Sequence, residues 1–254
     1  MAATASAPNP VTPAASGRWS VPKVPWRGRD ALVVFLVPWV VLPIALILLL
    51  KLLSPYVPGV PQYLNSLATN SPGATFGLVI VDAIGSFSAI GYYLHKYHAG
   101  LATLGVRRFN LGKALLYLAG ILVVFGFLVA AAYYLIQALD PHFNANQAQT
   151  NEFTGGTFSL VNLLALVIIP PFVEEATFRG FMFPAFAKRW GGVIGAILTS
   201  ILFGFAHLQA NVSVYTFILS LLLCGLYVRT RSIIPGIAVH MTNNYIAYIS
   251  QLHK

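Results

Sequence analysis

The chain has 254 residues, of which 15 are Lys or Arg and 6 are Asp or Glu. Only 8% of residues are charged and 57% are hydrophobic, with a mean hydropathy of +0.76. A soluble domain is about 25% charged, so this composition excludes a soluble globular protein, a disordered chain and a coiled coil. The single cysteine, Cys224, excludes an intrachain disulfide scaffold. An all-α polytopic membrane protein remains. The net charge of +9 then speaks of membrane orientation, and no nucleic-acid partner is expected.

In chain order, residues 1–29 are rich in Ala, Pro, Ser and Thr and predict a disordered cytoplasmic tail. A signal peptide fits poorly, because the first apolar run is longer than the h-region of about 7–15 residues. Seven apolar segments then predict about seven transmembrane helices, near 31–50, 75–94, 114–139, 158–187, 191–209, 213–228 and 233–251. The fourth is long for one crossing and carries Pro170-Pro171, which predicts a kink or a break. Residues 30–157 read as accessory helices one to three, and residues 158–254 as a core of spans four to seven.

With the N-terminus cytoplasmic, the cytoplasmic segments hold Arg18, Lys23, Arg27, Arg29, Lys96, Arg107, Arg108, Lys113, Lys188, Arg189, Arg229 and Arg231. Lys51 and Lys254 fall on the far side, with Asp140 and Glu152, and Arg179 lies within a span. This distribution predicts the N-terminus inside and the C-terminus outside. Trp19, Trp26 and Trp190 fall near the cytoplasmic face, where amphipathic rings settle. A prokaryotic plasma membrane is the expected location.

Acids inside a bilayer are costly and by default functional. Glu174 and Glu175 are adjacent in the run IIPPFVEEATFRGF. Neighbours on an α-helix point about 100° apart. Arg179, four residues after Glu175, is placed for an ion pair with it. Glu174 is then left free in apolar surroundings, which suits a general base. The competing reading is one structural ion cluster of all three residues.

His207 ends the run ILFGFAH, with Phe203 one turn before it on the same face. Glu174 precedes Trp190 by as many residues as His207 follows Gly191, so an antiparallel hairpin places both at one depth. Gly192, Ala196, Ser200 and Gly204 form a small-residue ridge that serves helix packing. On the last span His240 and Asn244 are four residues apart and project from one face, with Gly236 on the same line. Two converging donors suit an oxyanion hole, and interhelical hydrogen bonding is the alternative. His240 lies about 10 Å from its loop and His207 about 24 Å from its own, at 1.5 Å per residue. The site therefore closes only if the hairpin of spans four and five tilts or protrudes, in the cytoplasmic half of the membrane. Asp82 has no visible partner and reads as structural. His95 and His98 read as interfacial, and Cys224 as a small core residue. HExxH and GxSxG are absent from the sequence, and so is a second intramembrane aspartate.

Glu174-Glu175-Ala-Thr-Phe-Arg179, Phe203-Gly-Phe-Ala-His207 and His240-Met-Thr-Asn-Asn244, each in its own apolar segment, form a pattern. It resembles that of the CAAX-protease and bacteriocin-processing (Abi) intramembrane endopeptidases, which include the type II CAAX prenyl endopeptidases. The resemblance implies peptide-bond hydrolysis in the membrane, on a membrane-associated protein or peptide of which a prenylated CAAX chain is one case. It implies that Glu174 and His207 activate water and that His240 and Asn244 stabilise the oxyanion. Glu175 and Arg179 would support them, with Phe203 against His207. No cofactor is expected, since Asn is a poor Zn²⁺ ligand; a Zn²⁺ site would use Glu174, His207 and His240. The readings that compete with an enzyme are a non-catalytic scaffold or bacteriocin-immunity-type protein of the same fold, and a proton-coupled transporter using Glu174, His207 and Asp82.

Overall fold

The computed structural model describes residues 21–68, 71–143 and 160–252. Within them the secondary structure is helical and contains no strand. Nine helical runs follow in order. They are α1 Gly28–Leu53, α2 Val60–Ala68, α3 Pro72–Lys96, α4 Leu101–Leu104, α5 Leu111–Leu139, α6 Leu160–Trp190, α7 Gly192–Phe205, α8 Ala210–Thr230 and α9 Ile234–Leu252. The chain is an all-α polytopic membrane protein: α1, α3, α5, α6 and α8 are each long and apolar enough to cross a bilayer.

Two of the seven expected spans differ from the other five. The fifth, expected over 191–209, is the 14-residue α7, which at 1.5 Å per residue reaches only about 21 Å of a hydrocarbon core about 30 Å thick. The seventh is α9, long enough in residues but interrupted by His240, Thr242, Asn243 and Asn244. These two are the helices that complete the candidate site.

Proline shapes the fourth span. α6 is one continuous helical run through Pro170-Pro171, with π-helical stretches at Leu163–Ile168 and Glu175–Met182. A proline ring clashes with the carbonyl four residues back and supplies no N–H to it. Widening to π spacing relieves the clash, and such segments often mark functional sites. Pro170 thus leaves the Leu166 carbonyl without its helical partner, and Asn244 Nδ2 donates to that oxygen at 2.9 Å. This bond fixes α9 antiparallel against α6.

The hairpin of α6 and α7 turns at Gly191, whose φ of 82° suits glycine. Its register is visible where Phe178 and Phe203, equidistant from the turn, meet edge to face at 4.9 Å. The expected ridge packs as foreseen on Ala196, Ser200 and Gly204, all buried. The closest approach to α6, however, is at Gly195, where a Cβ would stand 2.6 Å from the Ala187 nitrogen.

The cytoplasmic-tail expectation for residues 1–29 needs correction over its last part. Residues 1–20 lie outside the described residues, but Val24 and Trp26 are buried. Trp26 is not an interfacial ring. It stacks on Phe181 with centroids 4.3 Å apart, and its indole donates to the Phe181 carbonyl at 2.9 Å. Lys188 Nζ donates to the Val24 carbonyl at 3.0 Å. Asp30 accepts from the Arg27 backbone at 2.8 Å and from the Tyr97 hydroxyl at 2.7 Å, tying α1 to the end of α3. That bond to the Asp30 carboxylate holds the Tyr97 phenol above its usual pKa. Glu152 and Lys254 lie outside the described residues.

Candidate active site

Glu175 is fully buried, and Arg179 Nη1 lies 3.0 Å from its Oε1, the ion pair that the i,i+4 spacing predicts. The Arg179 guanidinium also lies over the Phe203 ring, 4.4 Å from its centroid. Cys224, buried as expected, sits against Arg179 and Ser200. A second cationic partner was not foreseen. His240 Nδ1 lies 3.1 Å from the same Glu175 oxygen, and His240 Nε2 lies 3.4 Å from Glu174 Oε2. His240 therefore bridges the two carboxylates. Because an ionised Glu175 can only accept, Nδ1 carries hydrogen. Two carboxylates thus face one guanidinium and one imidazole ring.

Gly236 makes this approach possible. A Cβ on it would stand 2.9 Å from Glu175 Oε2. The residue is one turn before His240, on the line that the sequence singled out, although no role followed from that line. The start of α9 is held at this level by a short clamp. The Ile233 N–H donates to the Gly105 carbonyl at 3.0 Å, and the Ser232 hydroxyl to the Arg107 carbonyl at 2.9 Å. Leu104 in turn packs on Gly180, where a Cβ would meet the Leu104 carbonyl oxygen at 2.6 Å. Gly180 and Ile233 thus share one level, and the helix runs on past Gly180 to Trp190, about 15 Å at 1.5 Å per residue. The hairpin projects beyond the α8–α9 loop, which removes the mismatch in depth between His207 and His240.

His207 lies in the turn after α7. Its Nδ1 is 2.8 Å from the Phe203 carbonyl. A carbonyl only accepts, so Nδ1 carries the hydrogen and the neutral ring keeps a lone pair on Nε2. Phe203 meets His207 at 5.0 Å and His240 at 5.7 Å, between ring centroids. Glu174 and His240 are within electrostatic range of His207.

Asn244 makes contacts both along and between helices. Its Nδ2 is engaged by Leu166, and its Oδ1 accepts from Asn243 at 3.3 Å. This is the interhelical hydrogen bond that the sequence offered as the alternative for Asn244. Asp82 has the partners that the sequence did not reveal. Ser86 Oγ donates to it at 3.3 Å and receives the Trp39 indole N–H at 3.2 Å. Asp82 also lies within electrostatic range of Glu174. Among the described residues, no group of three His, Cys, Asp or Glu side chains is gathered as a metal site.

Residues 156–246 match the family model described as "Type II CAAX prenyl endopeptidase Rce1-like". Searches of curated proteins and of solved structures return no match. The matched stretch contains Glu174, Glu175, Arg179, Phe203, His207, Gly236, His240 and Asn244, every residue of the cluster just described. Over this stretch the chain is similar to the Rce1-like family of type II CAAX prenyl endopeptidases.

Proposed function

We propose that the protein hydrolyses a peptide bond of a membrane-associated protein or peptide, using Glu174 as general base. One observation carries this reading. Glu174 Oε2 is buried without a well-formed hydrogen bond, with His240 Nε2 3.4 Å away, beside a second glutamate already paired with Arg179. A buried carboxylate oxygen left open is expensive unless something fills it during function. A water there can give one hydrogen to Glu174 and the other to the free Nε2 of His207. Its oxygen then adds to the scissile carbonyl carbon. The Nε2–H of His240 turns from Glu174 to the carbonyl oxygen and stabilises the oxyanion. Glu174 finally returns its proton to the leaving amide nitrogen as the C–N bond breaks. Glu175 and Arg179 hold His240 as an imidazolium in this orientation. Asn244 acts through the Leu166 bond, by fixing the spacing of α9 and α6.

The substrate class is a chain presented at the cytoplasmic half of the bilayer, of which a prenylated CAAX terminus is one case. Comparing membrane peptides from cells carrying wild type and Glu174→Gln tests the reading. New termini present only with wild type are expected. Identical peptide sets, with the cellular phenotype unchanged, would instead favour a scaffold or immunity-type role.

The same reading is metal-free, because Asn is a poor Zn²⁺ ligand and two His plus a Glu that must also be the base make a thin Zn²⁺ shell. Activity is expected to survive dialysis against a Zn²⁺ chelator. Loss on dialysis, with recovery on adding Zn²⁺, would replace general-base catalysis with metal-assisted hydrolysis through Glu174, His207 and His240.

A further inference from the structure

Away from the candidate site, α5 and α8 part to leave an apolar groove of about 500 Å³. Tyr117 and Ile121 of α5 line one wall, and Leu222, Gly225 and Leu226 of α8 line the other, with Arg229 at one end. Deeper along the same pair of helices, Leu219 and Leu223 close the contact with Leu118 and Leu122. The groove is therefore an opening at one end of an otherwise packed interface, within the size range of ligand pockets.

Its open end is strongly basic. The bonds from Ile233 to Gly105 and from Ser232 to Arg107 bring the α4–α5 and α8–α9 loops together. Arg107 and Arg108 stand in the first loop, and Arg229 and Arg231 stand at the end of α8 and in the second. Lys113 lies one turn before Tyr117 on the same face of α5. Arg229 thus lines the groove, with Lys113 at the near end of α5 and Arg107, Arg108 and Arg231 in the adjoining loops. Asp140 is at the opposite end of α5, and among the described residues no acid lies in α8 or in either loop.

We infer that this groove binds an anionic phospholipid, with an acyl chain between α5 and α8 and its phosphate at Arg229 and Lys113. An apolar groove inside a membrane is filled by lipid tails in any case. What the cations add is selection by headgroup, since basic pockets between transmembrane helices suit anionic lipids. The inference does not depend on catalysis.

Native mass spectrometry of the detergent-purified full chain tests it. The chain is offered equal amounts of phosphatidylglycerol and phosphatidylcholine with the same acyl chains. Each cation near the surface contributes about fivefold, so about thirtyfold preference for phosphatidylglycerol is expected from Arg229 and Lys113 together. Arg229→Gln and Lys113→Gln should each lower it about fivefold and together bring it near parity. Both are exposed on the structure, so the fold is retained. Gly225→Leu should reduce retention of both lipids by filling the groove. Equal retention by the wild type, or a preference that survives the double charge variant, would overturn the inference. So would displacement of phosphatidylglycerol by an uncharged farnesylated peptide, which would assign the groove to a substrate's lipid.

Discussion

α5 and α6 are nearly the same length, 29 and 31 residues, and both are apolar enough to span a bilayer. They differ in everything else. α5 is a regular α-helix without an acid in its helical run, and only 6% of its most apolar window is buried. Leu116 and Phe127 on its outer surface are more than 70% exposed, as side chains facing lipid should be. α6 is interrupted by Pro170, Pro171 and Pro184, wound partly as π-helix, and 44% buried over its window. It also carries both buried glutamates. Length and apolarity make a membrane helix. Irregular hydrogen bonding, with charges held away from water and lipid, is what makes one able to do chemistry.

The sharpest way to break the contrast is to remove chemistry from α6 while leaving its shape. Glu174→Gln is nearly isosteric, and we expect peptide cleavage to fall by about 10²–10⁴-fold, the range of general-base contributions. Thermal unfolding in detergent should be close to wild type. A large fall in stability would instead make Glu174 a structural ion.

Arg179→Met leaves Glu175 buried with His240 as its one remaining cationic neighbour among the described residues. Breaking a buried pair in this way costs about 3–5 kcal/mol. The matched control in α5 is Leu116→Ala, a lipid-facing change expected to stay within about 0.5 kcal/mol. Chemical unfolding of the two variants side by side measures the difference between the helices. Similar losses would mean that the α6 charges are not specially dependent on one another.

Gly236→Ala is subtler. The new methyl must push Glu175 or α9 away, because 2.9 Å is too close for a carbon and a carboxylate oxygen. Displacement on the scale of 1 Å can lower turnover by about a hundredfold. We expect that loss in kcat with KM little changed. The smallest effect is expected from Trp26→Phe, which keeps the stack on Phe181 and removes only the indole donor, about 1 kcal/mol of stability. A null result there would show that the segment before α1 lies on α6 without bracing it.

Local spacing made part of the site legible. The Glu175–Arg179 pair is a one-turn relation, and the α6–α7 register follows from counting outward from one turn. The projection of the hairpin was also legible as a requirement, because His207 and His240 lie at unequal depths from their loops. The bridging role of His240 was not. It depends on α9 running antiparallel to α6 at a level set by Leu104, Gly105 and Gly180, contacts between segments far apart in the chain. Asn244 had a readable signal that went unused: Pro170 strips a partner from the carbonyl four residues back, at Leu166. Trp26 misled for a different reason. A basic, proline-rich surrounding looks like a tail, and burial by a distant Phe181 leaves no local pattern.

Incubating proteoliposomes with a farnesylated CAAX peptide in ¹⁸O water, and weighing the products, tests the central claim most directly. We expect wild type to release a product whose new carboxylate carries ¹⁸O, and Glu174→Gln to release almost none. Cleavage by Glu174→Gln at the wild-type rate, with the same ¹⁸O uptake, would contradict the assignment of Glu174 as the base.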